Sequence, residues 1–202
     1  MTPSARTPAA QPPASVRRGS LGFAAGLFVA GVLIAGGVVA LTSGGGTASK
    51  PPPPPAKLPT LTQRFNDKSL GVTGLITRRW VVGGIGPILH LVSVDRKAVI
   101  AIGAPGAART AHGALHAAIA TIRKVYKQVT LNQALGSTLG GRPARSVVMY
   151  GTNPRGARLR ILVATAEGRK LAYVMQVFTA SNAPLRTLEE AQQIIATLRF
   201  NN

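Results

Sequence analysis

Apolar residues run without a charge or strong polar group from Leu21 to Leu41, LGFAAGLFVAGVLIAGGVVAL. About 20 such residues cross the ~30 Å hydrocarbon core of a bilayer, and lipid obliges the backbone to bond to itself. The pattern predicts one transmembrane helix over 21–41. Before it, residues 1–20 are rich in Pro, Ala, Ser and Thr without apolar period, which predicts a disordered tail. Residues 42–59 read as a linker, flexible at Ser43-Gly44-Gly45-Gly46 and stiffened by a polyproline II rod at Pro51 to Pro55.

From residue 60 to 202 the pattern becomes that of one soluble domain, with short β-type runs separated by turn residues. Strands are predicted at Leu61–Phe65, Val72–Ile76, Ile88–Val94 and Ala98–Ile102, the last two joined through Asp95-Arg96-Lys97. Three more, Ala144–Tyr150, Arg158–Ala166 and Lys170–Thr179, make an antiparallel meander turned by Asn153-Pro154-Arg155-Gly156 and Glu167-Gly168-Arg169. The Gly-rich stretches Gly83 to Pro87 and Gly136 to Gly141 read as loops. A helix over Ala111–Lys127 places Leu115, Ala118, Ile119, Ile122 and Tyr126 on one face. A second begins at Thr187, with Glu190 three residues on as a capping box, and buries Leu188, Ala191, Ile194, Ile195 and Leu198. Strands grouped around helices without βαβ alternation indicate an α+β fold with an antiparallel sheet.

Charge adds an orientation. Arg17 and Arg18 flank the span on its N-terminal side, and no cation follows it until Lys50. This predicts an uncleaved signal anchor in the cell membrane, its N-terminus cytoplasmic and its C-terminal domain outside. The competing reading is a signal peptide cleaved near Val38-Val39-Ala40, but its apolar region would be only about 7–15 residues long. Gly22 and Gly26 form a G-x-x-x-G pair through which two spans could dimerise. The domain carries all five acids and most of the 24 Lys and Arg, a net of about +14, a field that recruits polyanions. There is no cysteine, so neither disulfides nor Cys-ligated zinc hold the domain together.

Catalytic patterns are not evident. His112 and His116 are spaced i, i+4, but Gly113 stands where a zinc hydrolase needs its Glu, and no third ligand follows. No Ser sits in a G-x-S-x-G elbow, and the five acids are scattered. The sequence thus predicts no cofactor and no metal. Few aromatics interleave with the cations, which together with the outward location argues against nucleic acid. Outside a bacterial membrane the abundant polyanions are wall polymers and lipid headgroups. The candidate contact surface is the basic helix face His116, Arg123, Lys124 and Lys127. Arg78-Arg79-Trp80 offers two readings, a headgroup contact or a tryptophan packed in the core between basic neighbours.

The order Gly71-Val72, Trp80, the Asp95–Ile102 arm, a helix, Gly141-Arg142-Pro143-Ala144, Tyr173 in the meander and Ile194-Ile195 to Leu198-Arg199-Phe200 resembles the PsbP-like family. The resemblance covers about residues 60–200. It departs from the family pattern at Arg79, where a Pro often precedes the Trp. It implies an α-β-α sandwich with a central antiparallel sheet, here preceded by the transmembrane helix, and a non-catalytic binding or assembly role. The sequence-based expectation is therefore a single-pass, extracytoplasmic module engaging an anionic envelope component or a membrane protein. The alternatives are an envelope enzyme with an unrecognised site and a purely structural accessory subunit.

Overall fold

The structure, a computed structural model, describes residues 60–85, 87–106, 110–169 and 171–201. The predicted tail, span and linker, with Gly22 and Gly26, lie outside the described residues. Within those residues no helix is long and apolar enough to cross a membrane. The chain forms β1 (Gln63–Asp67), β2 (Val72–Ile76), β3 (Trp80–Ile85), β4 (Ile88–Ser93), β5 (Ala98–Gly103), α1 (Ala111–Val125), β6 (Lys127–Leu139), β7 (Arg142–Thr152), β8 (Arg158–Glu167), β9 (Ala172–Ala180), α2 (Leu185–Thr197) and β10 (Arg199–Phe200).

The strands make two antiparallel sheets, one ordered β3-β4-β5-β9-β8-β7-β6 and a small one ordered β1-β2-β10. Pairing of β5 with β9, from Ala98 opposite Thr179 to Gly103 opposite Val174, joins the first hairpin arm to the meander. Those two strands are buried at every position, as central strands covered on both faces must be. One face of the large sheet packs against α1 through Leu115, Ile122, Met149, Ile161, Val163 and Phe178. The opposite face packs against α2 and the small sheet through Trp80, Leu91, Ile100, Met175, Ile194 and Leu198. Each such fully buried side chain stabilises by roughly 1.5–3 kcal/mol, so two apolar layers replace the absent disulfides. The fold is α+β and mostly antiparallel sheet, as expected.

Three expectations are corrected. The Gly-rich stretches are not wholly loops: Gly83 and Gly84 lie in β3, and Gly136 lies in β6. Helix α1 stops at Val125, where the Tyr126 N–H closes onto the Ile122 carbonyl, so Lys127 belongs to β6 rather than to the helix face. Helix α2 starts at Leu185 after Pro184, with no side-chain cap. Thr187 and Glu190 are buried and point into the domain, so they are not a capping box. The cap that does form is at α1, where Thr110 Oγ1 accepts from the Gly113 N–H at 3.1 Å. Arg199 does serve the C-terminal end of α2, its guanidinium donating to the Ala196 carbonyl at 3.0 Å.

The two turns at Gly140 and Gly156 give a comparison of strain. Both have positive φ, +62° and +85°, but a Cβ on Gly140 would meet the Phe200 ring at 2.5 Å, whereas one on Gly156 meets nothing within 4 Å. Gly156→Ala should therefore cost about 1–2 kcal/mol, the left-handed penalty alone. Gly140→Ala should cost measurably more and lower Tm by several degrees further, at about 2–4 °C per kcal/mol, in thermal denaturation of the full chain. Equal shifts would show that the Phe200 ring does not hold its place against the Gly140 turn.

Candidate functional site

The register of the large sheet defines two ends. Trp80 pairs with Ser93, Ala98 with Thr179, Leu159 with Ala180, Arg158 with Thr152 and Thr152 with Lys127. All of these residues therefore lie at one end of the sheet. The turns there carry Arg78 and Arg79, Arg96 and Lys97, and Arg155, while Arg186 sits in the first turn of α2. Because α1 finishes at the same end, Arg123 and Lys124 in its last turn join them. The chain enters the domain here too, with the Thr62 N–H donating to the Ile76 carbonyl, four residues before Trp80.

A polar lock fixes this end. Trp80 is 2% exposed, and its Nε1–H donates to Glu190 Oε2 at 3.0 Å. The Glu190 carboxylate is itself buried and flanked by Arg186 Nε at 3.2 Å and Arg79 Nε at 3.5 Å. An unpaired carboxylate could not be held at such a position, so both guanidiniums are structural partners of the helix. Trp80 is thus a core residue, and it does not reach outward from the Arg78-Arg79-Trp80 cluster. Beside it, Asp95 Oδ2 accepts from the Thr187 hydroxyl at 2.7 Å, tying the β4–β5 turn to α2. Asp95 Oδ1 accepts from the Ser93 hydroxyl at 2.6 Å and the Lys97 N–H at 2.9 Å. Burial opposes ionisation of Asp95, but the bonds from Ser93, Lys97 and Thr187 and the charge of Arg79 outweigh it and hold the carboxyl below its usual range.

Against the lock lies a groove of about 460 Å³ lined by Gln128, Tyr150, Thr152, Arg158, Arg160, Thr179, Ser181 and Leu188. Arg158 and Arg160 alternate along β8 and so share a face. Tyr150, opposite Arg160, is exposed. Lys127 lies two strands from Arg158 in the same row, with Thr152 between them. Two guanidiniums and several hydroxyls line this opening, with Lys127 in the neighbouring strand row, a set of donors that matches anionic oxygen.

Two apolar tips stand out at the same end. Leu185 is 69% exposed at the start of α2, and Val94 is 61% exposed in the β4–β5 turn. The Asp95–Thr187 hydrogen bond joins their chain neighbours, one residue after Val94 and two after Leu185.

The sequence-predicted contact residues are thereby split. Arg123, Lys124 and Lys127 are exposed at the cationic end, with Lys127 set by β6 beside the groove. His116 is exposed two turns back along α1, its ring 4.4 Å from that of His112. Arg158, Arg160 and Tyr150 were not singled out by sequence. Their signal was alternation along the meander, which only strand register turns into a shared surface. His90 is buried in β4, and burial pushes its pKa down. Of the remaining acids, Glu189 sits half-buried next to Glu190 in α2, Asp67 is bonded within the β1–β2 turn to Ser69 and Leu70, and Glu167 closes β8 at the opposite end. Among the described residues no group of three or more His, Asp or Glu could hold a metal ion.

No protein-family model matches the sequence, and the search of curated proteins finds no match. Solved structures do match. The solution structure of cyanobacterial PsbP (CyanoP) from Synechocystis sp. PCC 6803 superposes with a TM-score of 0.52 at 12% identity, covering 74% of this chain and 98% of that one. A crystal structure from Bacteroides thetaiotaomicron VPI-5482 gives a TM-score of 0.50 at 12% identity over 71% of this chain, which spans 50% of that protein. The crystal structure of LpqN, involved in cell envelope biogenesis of Mycobacterium tuberculosis, is a looser match at 0.46 and 11% identity, over 68% of this chain and 88% of that one. The domain has a PsbP-like fold, as the order of its sequence landmarks implied.

The Asp95 bonds predict an acid response. A carboxyl whose folded pKa is depressed adds stability above its unfolded value near 3.9, and that stability is lost as pH falls through the folded value. Asp95→Asn should lower Tm at pH 7, and the gap to wild type should narrow as pH is taken below about 4 in thermal melts. A gap that stays constant down to pH 2 would mean that the charge of Asp95 contributes nothing to the lock.

Proposed function

We propose that this chain is a non-catalytic, extracytoplasmic accessory module of a bacterial cell envelope, built on the PsbP-like fold. In this reading residues 21–41 hold it at the membrane with the leading tail inside, and the domain engages an anionic envelope component. The observation that carries the reading is the larger cluster of cations, which gathers at one end of the sheet. Arg78, Arg96, Arg155, Arg158, Arg160 and Lys127 gather at one end, while two of the three acids near that end, Asp95 and Glu190, are bonded internally and Glu189 is the third. Committed acids leave the surrounding cations to face outward, which supports binding over acid–base chemistry. A second reading, an accessory subunit that recognises a membrane protein through its sheet, is favoured by the open edge strand β3, where Val81 is 59% exposed.

Binding to isolated, anionic envelope fractions tests the reading. A cation near an anionic surface contributes on the order of 1 kcal/mol, so Arg158→Glu with Arg160→Glu, which removes two cations and adds two repelling carboxylates, should weaken co-sedimentation at low salt by at least roughly 30-fold. His116→Ala should leave it unchanged. Equal binding by wild type and the double variant would remove the groove from the account. Protease added to intact cells should release the C-terminal domain, and a domain that stays protected would overturn the location.

A further inference from the structure

The anionic partner has a specific identity if the cationic end is considered together with its apolar tips. We infer that this end is a membrane-surface docking face, seated on the anionic headgroups of the bilayer that residues 21–41 would cross. The inference rests on the reading above and names the anionic component as lipid.

Three observations converge on it. Leu185 and Val94 are the two most exposed large hydrophobic residues among those described, and both belong to this end. A wall polymer or soluble anion has no use for bare leucine and valine tips, whereas an interface takes apolar side chains below a ring of Lys and Arg. The tips are rigidly presented, because the turn holding Val94 and the helix start holding Leu185 are tied by the Asp95–Thr187 bond at 2.7 Å. Finally, the chain enters the domain at the same end, with Thr62 bonded to Ile76 beside the Thr77–Trp80 turn. The linker, Thr42 to Pro59, therefore joins the described domain at the end that carries the charge and the tips. Trp80, the one tryptophan, is locked inside by Glu190, so insertion falls to Val94 and Leu185.

The cysteine-free sequence makes the test direct. Full-length protein carrying Val94→Cys or Leu185→Cys, labelled with a polarity-sensitive fluorophore, is placed in nanodiscs of zwitterionic or of anionic phospholipid. Thr138→Cys, exposed near the far end of β6, is the control. In anionic discs the probes at 94 and 185 should shift to the blue and be quenched by lipid-borne quenchers, while the probe at 138 stays in water. The shift should vanish near 1 M salt, where the screening length drops from ~10 Å to ~3 Å. It should also vanish when Arg78→Glu and Arg96→Glu are added. Matching melting curves confirm that each labelled variant is folded. Tip probes that remain in water in anionic discs overturn the inference. If those probes instead respond to an added glycerol-phosphate polymer, lipid docking falls while the anionic-partner reading stands. If they respond to neither and the Arg158/Arg160 reversal leaves envelope binding intact, both fall.

Discussion

The carboxylate of Glu190 is the point on which this architecture turns. It is the buried charge of α2, and it is held by an indole N–H from the edge strand β3 and by two guanidiniums. Without it, Trp80 would carry an unpaired donor into the core, and Arg79 and Arg186 would lose the partner that holds them at the helix. The same contact fixes α2 against the face of the sheet opposite α1. From there the helix reaches the β4–β5 turn through Thr187 and Asp95. One end of the domain is therefore rigid because a few polar groups tie the helix to the edge strand and the β4–β5 turn.

That arrangement also explains how so basic a domain remains folded. Five acids cannot neutralise its cations pairwise, and the structure does not attempt it. Asp67 and Asp95 shape turns, and Glu190 anchors a helix. Repulsion among the remaining cations is relieved by leaving them in water, at the strand ends and in turns, where screening is strongest. The outcome is a surface with one dominant sign and one crowded end.

The sequence disclosed the interior well and the borders poorly. The central strands β5, β8 and β9 were read close to their true limits because each is rich in Val, Ile, Leu and Ala between clear turn residues. Within the large sheet, the two strands that escaped, β3 and β6, are its two edges, and the two-residue β10 of the small sheet escaped as well. An edge strand is covered on one side only and needs no dense apolar pattern. Gly83 and Gly84 in β3, and the shifted register between Leu131 and Gln133 in β6, disguise both further. Thr187 and Glu190 had the spacing of a cap because the same i, i+3 interval that places a cap also places two side chains on one inward face. Of the site, charge was legible in the composition. The groove was not, since Gln128, Tyr150 and Arg158 line it only after three strands align.

Strand β10 carries a consequence of its own for the order of assembly. β2 lies between β1 and β10, and β10 supplies its second partner from Arg199 and Phe200, well over a hundred residues downstream. Phe200 stacks on Tyr173 at 4.1 Å and fills the space beside Gly140, while the Asn201 N–H bonds the Gly71 carbonyl. The first strands of the domain thus stay half-built until nearly the whole domain has been made. Nascent chains of this protein must pass through synthesis with β2 lacking one of its two neighbours, and shortening the chain by even a few residues at Phe200 would leave that state permanent.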